Sequence, residues 1–132
     1  HKWLRQCAYG NLEGRYISKH HSHINRGDAV SSQFFSAMGL SMLRSVEVEH
    51  CRDAFALLLE HRAGLRLAFS GDTRPCRAFV SGARQAGTSV LIHEATFESK
   101  YSDHAVKKRH CTITEVLGVA QEVGAALTVF TH

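Results

Sequence analysis

Apolar and polar residues follow one another in short blocks, and the spacing within each block predicts a succession of strands and helices. Residues 45–50 alternate with a period of two, which is typical of a half-buried strand. Two apolar runs, residues 54–60 and 65–70, are separated by a short turn, and we predict that they form a β-hairpin. Residues 89–92 and 126–131 are further predicted strands.

Helical spacing of the apolar residues predicts three helices. Residues 31–43 have this spacing loosely, with Gly39 as an interruption. Residues 75–85 open with a proline, which the first turn of a helix tolerates, and residues 112–123 include Thr112 and Thr114, either of which suits an N-cap. The order of these elements predicts an α/β fold in which the last three strands are parallel.

The amino-terminal third of the chain shows a weaker pattern than the rest. Residues 10–28 are polar, contain three glycines and have no period, which indicates a surface connection. We therefore divide the chain into residues 1–44, a variable linker or partial helical segment, and residues 45–132, the regular α/β part.

The composition is that of a globular protein, and the net charge indicates which kind of partner to expect. The 132 residues are 44% hydrophobic and carry a formal charge of +4, which mildly favours an anionic partner such as nucleic acid. No apolar run approaches the roughly 20 residues of a membrane-spanning helix, so we expect no membrane partner. The chain opens with His1 and stops directly after a strand-like run, and we expect it to be a piece of a longer polypeptide.

The four cysteines argue against two kinds of scaffold. Cys7, Cys51, Cys76 and Cys111 are far apart and include no Cys-x-x-Cys pair. This spacing disfavours a zinc ribbon and a disulfide framework, and it fits an intracellular, reducing compartment with free thiols.

Polar residues follow the predicted strands where each strand ends. Asp72 comes after the strand at 65–70, His93 and Glu94 come after the strand at 89–92, and His132 comes after the last strand. His110 stands just before the last helix. Carboxyl ends of parallel strands share one edge, where ligands and metals collect, although Asp72 alone would equally suit a helix N-cap.

Five motifs follow one another along residues 48–132. They are Val48-x-His50-Cys51, Ser70-Gly71-Asp72-Thr73-x-Pro75-Cys76, His93-Glu94-Ala95-Thr96, His110-Cys111-Thr112 and Thr131-His132. Together they resemble tRNase Z, most closely its long form, in the metallo-β-lactamase superfamily. The resemblance covers residues 45–132 and departs from the family at Cys111, where serine is usual.

The resemblance implies a fold and a set of site residues. Residues 45–132 would form the carboxy-terminal half of a metallo-β-lactamase αββα sandwich. His50 would bind one zinc ion, Asp72 would bridge two zinc ions, and His132 would bind the other. In the family pattern the glutamate of the His-Glu-Ala-Thr motif pairs with the histidine of the motif that follows it. Glu94 would therefore orient His110, and His110 would protonate the departing ribose oxygen, with His93 and Thr73 supporting the site from behind.

The resemblance also implies an activity, which is removal of the 3′ trailer from precursor tRNA by a zinc-dependent endoribonuclease. Lys107, Lys108 and Arg109 are candidate contacts to tRNA phosphates, although a short charge run is usually a solvated surface. If the chain comes from a eukaryotic long form, we expect it in the nucleus, the mitochondrion or both. The alternatives are another phosphodiesterase of the superfamily and a catalytically inactive binding half.

One histidine cluster imitates the superfamily signature His-x-His-x-Asp-His without completing it. His21 and His23 provide the His-x-His, but Asn25 and Arg26 occupy the aspartate and histidine positions. We interpret this cluster as a surface loop. The genuine signature is expected in the remaining N-terminal part of the same polypeptide, and we expect residues 1–132 to be inactive without it.

Overall fold

The computed structural model describes residues 35–132, which form one five-stranded β-sheet and three α-helices. The strands are β1 (Leu40–Glu47), β2 (Phe55–His61), β3 (Arg66–Phe69), β4 (Val90–Glu94) and β5 (Leu127–Thr131). The helices are α1 (Arg77–Gln85), α2 (Ser102–Lys108) and α3 (Ile113–Val123), and a 3₁₀ turn at Ser99–Tyr101 leads into α2.

The strands lie in the sheet in their sequence order, from β1 to β5. β2 is antiparallel to both β1 and β3, whereas β3, β4 and β5 are parallel to one another. The predicted hairpin and the predicted parallel strands are therefore confirmed. Because two antiparallel pairings restore the direction of β1, the carboxyl ends of β1, β3, β4 and β5 all lie at one edge of the sheet.

The core lies between the sheet and α1 and α3. Alternation along the strands sends Leu58 and Leu91 to the helical side, where they are almost wholly buried with Phe79 of α1. A Cβ atom at Gly82 would lie 3.1 Å from Cδ1 of Leu58, so glycine allows α1 to approach the sheet closely. The helices thus hold the strand ends in fixed relative positions.

The opposite face of the sheet carries apolar side chains in register. Phe69 pairs with Ile92, which pairs with Val129 on the next strand, and both Phe69 and Val129 remain 39% exposed. Within residues 35–132 the architecture is therefore one sheet and one helical layer. No helix in this part of the chain is long and apolar enough to cross a bilayer.

The structure corrects one helix and adds another. The predicted helix at 31–43 is wrong over residues 40–43, which belong to β1, and its described helical part is limited to residues 35–37. Gly39 has a positive φ of 67° and ends that turn, after which Leu43 pairs with Leu59 of β2. Predictions for residues 1–34 lie outside the described residues. α2 occupies a charged stretch for which no element was predicted.

Candidate metal and catalytic site

The edge formed by the strand ends brings the predicted site residues together. Nδ1 of His132 lies 3.5 Å from Oδ1 of Asp72. The ring centroid of His110 lies 4.7 Å from that of His50 and 5.2 Å from that of His132. Glu94 also contacts His110 directly. Five side chains from strand ends and loops across the sheet therefore lie close together, namely those of His50, Asp72, Glu94, His110 and His132.

A tight turn after β3 presents Asp72. Gly71 adopts a positive φ of 59°, and a Cβ atom there would lie 3.2 Å from the carbonyl oxygen of Phe55. A side chain at this position would meet both a strained backbone and a neighbouring strand. Glycine therefore lets the chain turn sharply, so that the half-exposed carboxylate of Asp72 stands beside His132.

Glu94 is the buried acceptor at the centre of the site. Its carboxylate is 2% exposed and accepts hydrogen bonds from Thr73 N at 2.8 Å, Cys111 N at 3.1 Å and Thr96 Oγ1 at 2.6 Å. Burial acts to raise the pKa of Glu94, but these hydrogen bonds and that of His110 outweigh it, so the pKa lies below its usual value. Glu94 is thus an anion in the folded protein.

The Glu94 carboxylate determines the orientation of His110. Oε1 of Glu94 lies 2.7 Å from Nδ1 of His110, and because an ionised carboxylate only accepts, the imidazole carries its hydrogen on Nδ1. Nε2 is then the nitrogen that can exchange a proton with another molecule. The side chain of His110 is 14% exposed, which leaves a small accessible part of the ring.

The side chain of Thr96 connects His110 and His132, which lie on either side of it in space. Its hydroxyl donates to Glu94 Oε2, so it must accept from Nδ1 of His132 at 2.9 Å, and it also lies 3.2 Å from Nδ1 of His110. The sequence analysis assigned Thr96 no role, although it is the last residue of the His93-Glu94-Ala95-Thr96 motif. The motif itself was the signal that could have identified it.

Arg74 was also missed by the sequence analysis, and it supports the backbone of His110. Its guanidinium donates to the His110 carbonyl at 2.6 Å and forms a two-pronged ion pair with Glu115 at the start of α3. The bond to Glu115 raises the pKa of Arg74 above its usual value, so this cation is permanent. Glu115 in turn completes a capping box with Thr112, which joins the site to the helix N-terminus.

His93 and Thr73 lie behind the site. His93 is fully buried, with its ring edge-on to Phe79 of the core and its Nδ1 donating to the Glu94 carbonyl at 2.8 Å. Burial lowers the pKa of His93, so the ring is neutral, and its Nε2 has no hydrogen-bond partner among residues 35–132. Thr73 is also fully buried and connects Glu49, Glu94 and Cys111.

The predicted tRNA-contacting residues differ in their surroundings. Lys107 and Lys108 are exposed at the carboxyl end of α2. Arg109 instead turns towards the site, where its guanidinium donates to the His50 carbonyl at 2.6 Å. Phosphate contacts by these residues stay a prediction, and His21 and His23 lie outside the described residues.

Two overlapping groups of side chains have donor atoms close enough to hold metal ions. His50, Asp72 and His110 form one group, and Glu94, His110 and His132 form the other, with the donor atoms of each group within 4.8 Å of one another. Imidazole nitrogen and carboxylate oxygen are ordinary zinc ligands, so the residues at this edge fit such an ion chemically. His110 belongs to both groups, and its engagement with Glu94 distinguishes it from His50 and Asp72.

The chain is similar in sequence to known proteins. The chain is 36% identical over 101 residues to ribonuclease Z 1 of Schizosaccharomyces pombe, covering 76% of this chain and 12% of that protein. It is 40% identical over 105 residues to a mitochondrial tRNAse Z of Arabidopsis thaliana, covering 72% and 11%. It is 32% identical over 117 residues to human zinc phosphodiesterase ELAC protein 2, covering 83% and 14%. The chain therefore spans about an eighth of the length of these relatives.

Solved structures show the same relationship. A long-form RNase Z from yeast matches with a TM-score of 0.66 and 29% identity over 78% of this chain and 15% of that one. A metallo-β-lactamase fold protein of Bacillus subtilis matches with a TM-score of 0.60 at 18% identity over 68% and 35%, which supports the fold alone. No protein-family model matches the chain. The resemblance and the fold class predicted from the five motifs are confirmed.

Proposed function

We propose that this chain, which belongs to the tRNase Z family of metallo-β-lactamase-fold proteins, forms part of the catalytic centre of a zinc-dependent endoribonuclease. The substrate would be precursor tRNA, from which the enzyme removes the 3′ trailer. The observation that carries the proposal is the hydrogen bond between Glu94 and His110 beside the converging side chains of His50, Asp72 and His132.

His50, Asp72 and His132 are the residues that would hold the zinc ions. When bound, the two ions would supply Lewis-acid polarisation of the scissile phosphate and a more acidic water nucleophile. Support for His50 comes from its hydrogen bond, since Nδ1 donates to the Arg109 carbonyl and Nε2 keeps a lone pair, and support for His132 comes from its position beside Asp72. Asp72 is half-exposed, so its carboxylate is accessible to ions from solvent.

His110 would act as the general acid. Its Nδ1 hydrogen is committed to Glu94, so the proton that it delivers to the departing 3′ oxygen of the ribose comes from Nε2. The hydrogen bond between Nδ1 and the Glu94 carboxylate keeps the ring aligned. Arg74 donates to the His110 carbonyl and fixes the backbone of this residue. Both the backbone and the ring of the proposed acid are therefore held in place.

The proposed enzyme needs more than these residues. The three proposed ligands are too few for two tetrahedral zinc ions, and we propose that a His-x-His-x-Asp-His motif elsewhere in the same longer polypeptide completes them. The chain's small share of its relatives' length supports this arrangement. We propose that the protein works in the mitochondrion, the nucleus or both, and the mitochondrial Arabidopsis relative supports the first of these.

A nuclease assay tests the proposal. The full-length polypeptide, loaded with zinc, should remove the 3′ trailer of a precursor tRNA, and Asp72→Ala should abolish that activity. Residues 1–132 alone should not cleave under the same conditions. Sustained cleavage by residues 1–132 would show that the proposed ligand set is incomplete, and absence of cleavage by the full-length protein would reject the proposed substrate.

A further inference from the structure

A cleft of about 300 Å³ opens near His110, and neither the proposed metal ligands nor the proposed acid lines it. It is lined by Thr96, Phe97, Glu98, Tyr101 and His104. The cleft adjoins the site in two ways, because Thr96 Oγ1 lies 3.2 Å from Nδ1 of His110 and the Phe97 ring centroid lies 6.2 Å from that of His110. A molecule in the cleft would therefore be a neighbour of whatever reacts at His110.

Aromatic rings form the walls of this cleft. The Tyr101 and His104 rings are nearly parallel, with an interplanar angle of 6° and centroids 6.0 Å apart, and the Phe97 ring stands edge-on to His104 at 6.5 Å. Tyr101 is 44% exposed although it is a large aromatic residue. Flat aromatic surfaces that stay open to solvent are the surfaces on which unpaired nucleobases stack.

The charges at the rim favour a base over a phosphate group. Lys100 Nζ lies 4.9 Å from the Tyr101 ring centroid, but the same ammonium pairs with Glu98 at 2.9 Å. The pair is neutral as a whole, so it gives the cleft little attraction for a second phosphate. A flat, largely neutral ring fits this lining better than an anion does.

We propose that the cleft binds the nucleobase of the RNA nucleotide that carries the departing 3′ oxygen, and this rests on the proposed function of His110. A proton from His110 goes to that oxygen, and the base of the same nucleotide is joined to it through one ribose ring. With the oxygen at Nε2 of His110, the base reaches the Tyr101 and His104 rings by way of Phe97, whose ring centroid lies 6.2 Å from that of His110 and 6.5 Å from that of His104. The nucleotide on the other side of the scissile phosphate has no part in this contact.

Precursor tRNA cleavage by the full-length polypeptide tests the inference. Tyr101→Ala should raise KM by roughly 5- to 100-fold with little change in kcat, because a base stacked on an aromatic side chain gains about that factor in affinity. Tyr101→Phe should preserve KM, since it keeps the ring. Val106→Ala is the matched control, because Val106 lies on α2, is 59% exposed and does not line the cleft.

Substrates that lack one base make the test specific. An abasic nucleotide on the 5′ side of the scissile phosphate should raise KM for the wild-type enzyme, and Tyr101→Ala should then add nothing further. An abasic nucleotide on the 3′ side should leave the Tyr101→Ala effect intact. Equal effects of Tyr101→Ala on all three substrates, or an equal loss in Val106→Ala, would overturn the inference.

The inference and the proposed function fail in different ways. If the wild-type protein does not cleave precursor tRNA, the proposed function is rejected, and binding of a short single-stranded oligoribonucleotide measured by fluorescence anisotropy still tests the cleft. Weaker binding by Tyr101→Ala with unchanged zinc content would support a base-stacking site. Unchanged binding would reject it.

Discussion

Nδ1 of His50 donates to the carbonyl oxygen of Arg109 at 2.9 Å, and the guanidinium of Arg109 donates to the carbonyl of His50 at 2.6 Å. The two residues are 59 positions apart, so this reciprocal pair ties the turn after β1 to the loop before α3. A carbonyl oxygen only accepts, and the imidazole hydrogen is therefore on Nδ1. Nε2 keeps the lone pair that a zinc ligand needs.

Arg109→Ala should weaken zinc binding by roughly 10- to 100-fold, which is the usual effect of removing a partner that orients a metal ligand. The variant loses the bond to the His50 carbonyl and places alanine at a left-handed φ of 59°. Competition with a chromophoric chelator measures the affinity. If Arg109 instead contacts tRNA, the variant should raise KM and leave zinc affinity unchanged.

Lys108→Ala is the matched control for this measurement. Lys108 is exposed and is the last residue of α2, directly before Arg109. Its zinc affinity should equal that of the wild type, whereas a phosphate contact would appear as a weaker salt dependence of tRNA binding. Equal zinc loss in both variants would show a general effect on the loop.

His110→Ala in the full-length polypeptide should lower turnover by roughly 10² to 10⁴, because it removes the proposed proton donor. Zinc content should stay unchanged, as measured by elemental analysis of the purified variant. His110 also has a donor atom within 4.8 Å of those of His50 and Asp72. Loss of bound zinc in the variant would therefore make His110 a ligand and reject its role as the acid.

Glu94→Gln should lower turnover less than His110→Ala does. The amide keeps the shape of the side chain, but it holds His110 less firmly and leaves some of the buried donors poorly matched. Single-turnover cleavage of precursor tRNA by the zinc-loaded variant measures the loss. Full turnover in Glu94→Gln would show that the Glu94–His110 bond has no catalytic effect.

Glu115 should make the protein more stable above pH 4.5 than below it. Burial acts to raise the pKa of Glu115, but hydrogen bonds from Arg74 and Thr112 outweigh it, so the folded-state pKa lies below the ordinary value of 4.5. The unfolded chain binds the proton first as pH falls, and the stabilising effect is lost as pH falls through the folded-state pKa. Urea unfolding of Glu115→Gln at a series of pH values should show a flatter acid limb than the wild type.

The exposed Glu122 of α3 provides the control for this series. Glu122→Gln should keep the acid limb of the wild type, because no described hydrogen bond or ion pair engages this side chain. A limb that flattens equally in both variants would assign the pH dependence to net charge instead of the Arg74–Glu115 pair.

Cys111 should resist alkylation in the folded protein. Burial and the nearby charges of Glu94 and Glu115 raise the pKa of its thiol to about 12, and the thiol donates to the Thr73 carbonyl at 3.0 Å. Iodoacetamide at pH 8, followed by peptide mass mapping, should label the exposed Cys51 and leave Cys111 unmodified until urea is added. Rapid labelling of Cys111 would contradict the packing around Glu94.

Cys111→Ser should be tolerated, because a hydroxyl can make the same bond to Thr73 and has a similar size. We expect a change in the free energy of unfolding below about 1 kcal/mol. Cys111→Ala is the matched comparison, since it removes the donor and leaves the carbonyl of Thr73 without this partner. A greater loss in the serine variant than in the alanine variant would show that sulfur packing is what matters.

The local pattern of apolar residues was sufficient for much of the fold. Residues 54–70 have two apolar runs around a turn, and this pattern predicts a hairpin wherever it occurs. The same local rules misassigned residues 40–43, because apolar spacing there suits either a helix or a strand and only pairing with β2 decides between them. α2 was not predicted, because charged residues are frequent in it and its single buried residue is Ala105.

The positions of the site residues also followed from the sequence, since parallel strands must end at one edge and Asp72, Glu94 and His132 are placed at those ends. The resemblance to tRNase Z added the pairing of Glu94 with His110, and the geometry agrees with it. The hydrogen bonds of Thr96, Arg74 and Arg109 were decided only by the tertiary structure. These bonds join loops far apart in sequence, and strand order alone does not specify which carbonyl or hydroxyl each imidazole meets, or which ring nitrogen stays free for a metal or a proton.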